Sequence, residues 1–135
     1  MSYSIIDIEG IGPAHEAKLH GVGIKTTEHL LEKAGTKKGR VALAEATGIS
    51  EKSILTWVNH SDLFRIKGIA GQFAELLEAA GVDTVKELGH RVPENLHAKL
   101  EETNKAKNLS GSVPSLNALT QMIADAKKLE PKVSH

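Results

Sequence analysis

The seven histidines are the first residues to test for chemistry, because an imidazole can bind a metal ion or transfer a proton near neutral pH. His15 and His20 are five residues apart, so on a helix they point to different faces. The sequence of 135 residues has no His-Glu-X-X-His motif and no cysteine that could complete a zinc site. We therefore predict no metal site and no cofactor.

The run His60-Ser61-Asp62 contains the three residue types of a hydrolytic triad in consecutive positions. Adjacent residues on a helix point in different directions, so these side chains cannot pass a proton along a line. The sequence therefore predicts no catalytic residue and a protein that is not an enzyme.

Positive charge is concentrated in one short run, which contains Lys37, Lys38 and Arg40. These side chains could contact a phosphate backbone without sequence preference, although a solvated loop is the commoner meaning of such a run. The whole chain has 17 Lys and Arg against 17 Asp and Glu, whereas nucleic-acid domains usually carry a basic excess. Any phosphate binding should therefore be weak and depend on local patches.

Composition limits both the cellular context and the core. The absence of cysteine, of any apolar run near twenty residues and of a signal-like start at residues 1–4 predicts a soluble, cytoplasmic protein with no membrane partner. Aromatic residues make up only 3% of the chain, so the core should be aliphatic and base stacking is not expected. Trp57 is predicted to lie in that core, and an exposed anchor for a partner is the alternative.

Two glycine-rich turns position the rest of the chain. Gly10-Ile11-Gly12-Pro13 precedes a predicted helix at 13–20, in which proline suits the first position because its missing N–H is not needed there. Gly68-Ile69-Ala70-Gly71 precedes a second helix, 72–81. Since glycine reaches positive φ without a clash, each turn lets two short helices meet at a tight angle, which is the sequence pattern of a helix-hairpin-helix.

The two turns belong to a longer repeat with an offset of 58 residues. Its seven identities fall at turns, helix caps and core-facing positions, where a shared backbone requires particular residues. The matched pairs are Ile8 and Ile66, Gly10 and Gly68, Ile11 and Ile69, Leu19 and Leu77, Gly23 and Gly81, Thr26 and Thr84, and Leu30 and Leu88.

The fold class predicted from these patterns is all-α, because no segment alternates like a strand. Further helices are expected at 27–34, 41–46, 51–65, 94–105 and 116–129, the last of them packing on 51–65. We predict one unit at 1–65, a second at 66–131 and a disordered tail at 132–135. Because the helix at 51–65 runs directly into Gly68, the two pseudo-symmetric lobes should share one continuous core.

This pattern resembles the helix-hairpin-helix modules in the N-terminal domains of DNA recombinases and in the C-terminal domain of the bacterial RNA polymerase α-subunit. The resemblance rests on 10–13, Leu19, 23–24, Thr26, Leu30, Ala44 and 47–50. The tandem form, with 81–85 and 91–96, is similar to a family of small uncharacterised bacterial proteins made only of two such units. The resemblance covers residues 5–129.

Members that bind DNA hold a phosphate on the free backbone amides at the start of the second hairpin helix, aided by the helix dipole. The resemblance places this role on two sets of residues. The first set is Gly10, Gly12 and Ala14 with Lys18 nearby, and the second is Gly68, Ala70 and Gly71 with Arg65 and Lys67 nearby.

Charge favours the second set, because Glu9 and Glu16 flank the first hairpin and would repel a phosphate. Against it, Ala70 departs from the glycine of the motif. The function expected is weak, sequence-independent binding of DNA or another nucleic acid, and the alternative is a protein-interaction or scaffold module. A third reading is that both glycine turns are only compact corners of the fold.

Overall fold

Serine and threonine caps divide the chain into short helices. The computed structural model describes residues 3–69 and 71–135, and within them one 3-10 helix and eight α-helices follow each other. They are the 3-10 helix Ile5–Asp7, α1 Pro13–Gly21, α2 Thr27–Ala34, α3 Lys37–Thr47, α4 Glu51–Leu63, α5 Gly71–Ala79, α6 Val85–Gly89, α7 Pro93–Lys107 and α8 Leu116–Lys128. The only strand-like pairing among the described residues is an isolated bridge between Ser4 and Thr26, so the all-α prediction is confirmed.

Five of the helices begin with the same local hydrogen bond. The hydroxyl of the residue before the helix accepts from the backbone N–H three positions later, which satisfies one of the free donors of the first turn. The capping residues are Thr26, Thr36, Ser50, Thr84 and Ser115. Helices α1 and α7 begin instead with Pro13 and Pro93.

The Thr36 cap corrects one predicted boundary. Residues 37–40 were expected to lead into a helix at 41–46, whereas α3 already begins at Lys37. The reason is that Thr36 accepts from Gly39 N at 3.1 Å, which stabilises a helical turn four residues earlier.

The two glycine turns have matching local geometry. Gly10 has φ of +95° and Gly68 has φ of +92°. Residues other than glycine rarely adopt this backbone conformation, because their Cβ clashes with the backbone. Just after each glycine, the isoleucine N–H donates to the carbonyl three residues earlier, at 3.2 Å for Ile11 and 3.1 Å for Ile69. The relation of the complete halves as pseudo-symmetric lobes, and the boundaries at 1–65 and 66–131, stay predictions.

A single hydrophobic cluster joins the helices of both halves. It includes a buried side chain from each of the eight α-helices, among them Leu19, Leu30, Leu43, Ile54, Leu77, Leu88, Leu96 and Leu119. The expectation of one continuous core is therefore confirmed.

One predicted helix pairing is wrong. Helix α4 packs mainly on α2, α3 and α5, whereas α8 packs on α6 and α7 rather than on α4. The last turn of α4 is polar and reaches α6 through a hydrogen bond, since the Asp62 carboxylate accepts from Val85 N at 2.8 Å. Apolar periodicity identifies the buried face of a helix but not the helix that covers it.

Residues 132–135 are predicted to be a disordered tail, and this stays a prediction; in the structure two of them contact the rest of the chain. Ser134 N donates to the carbonyl of Gly35 at 2.9 Å, and Val133 packs on the edge of the core. These contacts join residues about a hundred positions apart in the chain, so no local sequence signal announces them.

Replacing Leu77 by alanine should lower the free energy of unfolding by about 2 to 5 kcal/mol, because it removes a fully buried side chain and leaves a cavity. Leu116 is 39% exposed, so Leu116→Ala is the matched control and should change stability far less. Urea denaturation followed by circular dichroism measures both. Equal midpoints for the two variants would contradict the placement of Leu77.

Replacing Gly10 by alanine should lower the free energy of unfolding by about 1 to 2 kcal/mol, because an L residue is strained at its positive φ. Gly12 has φ of −97° and open space where a Cβ would stand, so Gly12→Ala is the control. In Gly12→Ala, alanine is a poorer N-cap than glycine, which lowers the free energy of unfolding, but it also restricts the unfolded chain, which raises it. These two effects should cancel to within about 0.5 kcal/mol. The same denaturation experiment separates the two variants, and a Gly10→Ala protein as stable as wild type would contradict the strain.

Candidate nucleic-acid interface

The first glycine turn leaves the start of α1 open. Gly12 is the N-cap and offers no side chain to accept from the first turn, and the first helical bond runs from Glu16 N to the Gly12 carbonyl at 2.9 Å. Within the described residues, no protein acceptor meets the N–H groups of Ala14 or His15. Ala14 is exposed, and no atom lies within 4 Å of the Cβ position of Gly12. This end of α1 can therefore accept an anion without displacing a side chain.

Trp57 forms the floor beneath this turn. Its side chain is 4% exposed, which confirms the predicted core position. The indole Nε1 lies 3.5 Å from where a Gly10 Cβ would stand, and the His15 ring packs on the indole with centroids 5.0 Å apart. Trp57 therefore packs beneath the first glycine turn and against the ring of His15. The sequence pattern did not predict this structural role.

The charges around α1 differ from those read along the sequence. Lys18 is exposed on α1, while the half-buried Glu16 lies with its Oε2 3.9 Å from His20 Nε2. The carboxylate of Glu9 reaches the second turn, because its Oε1 lies 3.4 Å from the Cβ position of Gly71, the first residue of α5. An acid that was assigned to the first turn from sequence therefore also lies beside the second.

The second turn is less open to an anion. Besides Glu9, the backbone oxygen of Asp7 lies 3.7 Å from the Cβ position of Gly71. Lys67 is exposed, and Gly68 holds the turn at positive φ. Ala70, which was also assigned to this site, lies outside the described residues.

Arg65 is not free to serve the second turn. Its NH1 donates to Asp62 Oδ1 at 2.7 Å, and its NH2 donates to the backbone carbonyl of Glu130 at 2.8 Å. Because a carboxylate already neutralises the guanidinium, Arg65 adds little field at the surface. These contacts weaken the charge argument for the second hairpin, since Glu9 lies beside it and Arg65 is paired with Asp62. Which hairpin binds a phosphate stays a prediction.

The basic run at 37–40 does not form one exposed cluster. Lys38 is exposed, and Lys37 lies 3.6 Å from Glu51 Oε1 in a solvent-exposed ion pair. Arg40 is only 4% exposed and donates to the carbonyls of Ala34 and Gly35, at 3.1 and 3.0 Å. Burial lowers the pKa of the Arg40 guanidinium, and the nearby charge of Glu51 partly opposes that shift. Of the three residues, Arg40 is thus unsuited to phosphate contact.

The polar run at the end of α4 has structural partners. His60 Nε2 lies 3.2 Å from Glu78 Oε2, and Ser61 Oγ donates to the Trp57 carbonyl at 2.8 Å. Asp62 instead binds Val85 N and Arg65. Each residue of the run thus has a separate partner, and the three side chains form no chain of hydrogen bonds.

Two further observations concern the described part of the chain as a whole. Within it, no three or more His, Cys, Asp or Glu side chains come together as a metal-binding group. Within the same residues, no helix combines the length and the apolar character needed to cross a membrane.

Comparison with known proteins gives one family. The curated proteins and the solved structures contain no match to the chain. A family model described as a domain of unknown function, DUF4332, matches residues 9–129, from the first glycine turn to the end of α8. Since this match covers both turns and all eight α-helices, the chain belongs to the DUF4332 family.

Proposed function

We propose that the two glycine turns are helix-hairpin-helix units and that the protein is a non-enzymatic module for weak, sequence-independent binding of nucleic acid. The observation that supports this most is the open start of α1, where Gly12 provides no side-chain cap and the N–H groups of Ala14 and His15 have no described protein acceptor. A phosphate oxygen is the acceptor that suits such a helix end.

The physical basis of binding is the helix end together with one exposed lysine, Lys18, on the last turn of the same helix. Unsatisfied N–H groups and the dipole of the nine-residue helix α1 place partial positive charge at its start. Lys18 adds a full charge on the exposed side of α1. Neither group reads a base edge, so affinity should not depend on sequence.

The first hairpin should contribute more than the second. At the second, Glu9 lies beside Gly71 and Arg65 is engaged by Asp62, which leaves the exposed Lys67 as the cation next to this turn in sequence. The formal charge of the chain is zero, so no general field compensates for this local acid.

A protein-interaction module is the second candidate. Its support is the exposure of three large apolar side chains, Val92 at 51% and Ile6 and Leu116 at 39% each. Isolated exposed apolar residues are common on monomeric proteins, so this observation supports the alternative less than the open helix end supports phosphate binding.

Fluorescence anisotropy with labelled duplex and single-stranded DNA tests the proposal. We expect dissociation constants of about 1 to 100 µM near physiological salt, with a steep loss of affinity as salt rises. Lys18→Glu should weaken binding and reduce the salt slope by about one, because one phosphate contact is lost. Lys67→Glu should weaken binding less.

The control for net charge is Lys99→Glu, which changes an exposed lysine on α7 by the same two charge units. The affinity of Lys99→Glu for DNA should stay above that of Lys18→Glu. Failure of the wild-type protein to bind any duplex or single strand at low salt and tens of micromolar would reject the function. If all three variants lost the same affinity for DNA, the role of α1 would be rejected, and binding would depend only on the overall charge of the protein.

A further inference from the structure

Residues 130–134, here called the strap, lie across the corner where α2 meets α3. The strap contains no helix or strand, and it follows α8 after Leu129. The residues that hold it are Gly35, Arg40 and Arg65, here called the strap groove. They come from the first half of the sequence.

The three hydrogen bonds between the groove and the strap involve only backbone atoms of the strap. Arg65 NH2 donates to the Glu130 carbonyl at 2.8 Å, and Arg40 NH2 donates to the Ser134 carbonyl at 2.6 Å. In the other direction, Ser134 N donates to the Gly35 carbonyl at 2.9 Å. Such contacts accept an extended segment whatever its polar side chains are.

Gly35 adds a steric condition to these bonds. A Cβ at this position would stand 2.5 Å from the backbone oxygen of Lys132, closer than real contacts allow. The same Cβ would stand 2.6 Å from the Leu31 carbonyl. The missing side chain thus lets the strap backbone lie directly on the end of α2.

Arg40 is the unusual member of the groove. Its side chain is 4% exposed, and among the described residues no carboxylate lies within ion-pair distance of it. Three backbone carbonyls satisfy it instead, two at the end of α2 and one in the strap. A buried cation needs such partners, so the strap carbonyl completes its environment.

Val133 is the one strap side chain that packs against the rest of the protein. Val133 is half-buried against the core, while its neighbours Lys132 and Ser134 are exposed. Cavities of about 400 Å³ and 360 Å³ flank the strap, the first lined by Leu31 and Leu129 among others and the second by Thr84 and Pro131 among others. Open space therefore borders the strap next to α2 and next to the start of α6.

We propose that the strap groove is a docking site for an extended segment of a partner protein, and that residues 130–134 occupy it in cis. The strap itself defines the chemistry of that partner. It should be an extended peptide with a small branched apolar residue at the position of Val133, bound by its backbone through Arg40, Arg65 and Gly35. This proposal does not depend on nucleic-acid binding.

Tethering explains why the groove is closed in the free protein. A segment joined by a short connection has an effective concentration on the order of millimolar, so a free peptide at micromolar concentration cannot displace it. The apparent affinity for a partner falls in proportion to the fraction of molecules with an open groove. Weakening the strap while leaving the groove intact should therefore raise that affinity.

The test uses the full chain and a labelled six-residue peptide with the sequence of residues 130–135, Glu-Pro-Lys-Val-Ser-His. Val133→Asp removes the apolar strap contact but leaves Gly35, Arg40 and Arg65 unchanged. By anisotropy, this variant should bind the peptide at least about tenfold more tightly than wild type. Ala98→Asp adds the same negative charge at an exposed position of α7 and should behave as wild type.

A second peptide, with aspartate in place of its valine, should not bind the Val133→Asp protein, which ties binding to the apolar contact rather than to general opening. Circular dichroism must show unchanged helix content in both variants. Equal peptide affinity for wild type and Val133→Asp would overturn the proposal. A wild-type dimer at high concentration that Val133→Asp dissociates, without any gain in peptide binding, would also overturn it and assign the groove to a strap of a second copy.

Discussion

The hydrogen bonds of the buried Asp62 carboxylate join parts of the chain that lie far apart in sequence. One oxygen accepts from Val85 N at 2.8 Å, and the other accepts from Arg65 NH1 at 2.7 Å. Arg65 in turn holds the Glu130 carbonyl, so the end of α4, the start of α6 and the strap meet at one side chain that is 1% exposed. A buried carboxylate without these donors would be costly, which makes the three elements depend on each other.

Local features of this fold could be predicted from sequence because their causes lie within one turn of helix. A hydroxyl before a helix caps the amide three residues later, as at Thr26 and Thr84, and the pattern needs no knowledge of the tertiary structure. The positive φ of Gly10 and Gly68 follows in the same way from the residue type and its neighbours. The all-α class and most helix positions rest on such signals.

The fate of charged residues could not be predicted, since it depends on contacts across the chain. Arg40 belongs to a basic run in sequence, yet tertiary packing places its guanidinium on carbonyls of α2 and of the strap, 94 residues away. Glu9 precedes the first turn but lies beside Gly71 of the second. For the candidate interface, the turn and its amides were therefore predictable, while the balance of charge between the two turns was not.

The two candidate binding surfaces lie at opposite ends of helices, at the start of α1 and at the end of α2. At both, a missing side chain leaves room for another group to approach the helix backbone. At the start of α1, Gly12 provides no side-chain cap, and within the described residues the N–H groups of Ala14 and His15 have no protein acceptor, which suits an anion. At the end of α2, the missing side chain of Gly35 lets another backbone approach, and the buried guanidinium of Arg40 balances the carbonyls gathered there. As proposed, both surfaces would bind backbone or phosphate atoms rather than particular side chains. In a chain with zero formal charge, their selectivity would then come from the shape of these openings and from which of them is already occupied.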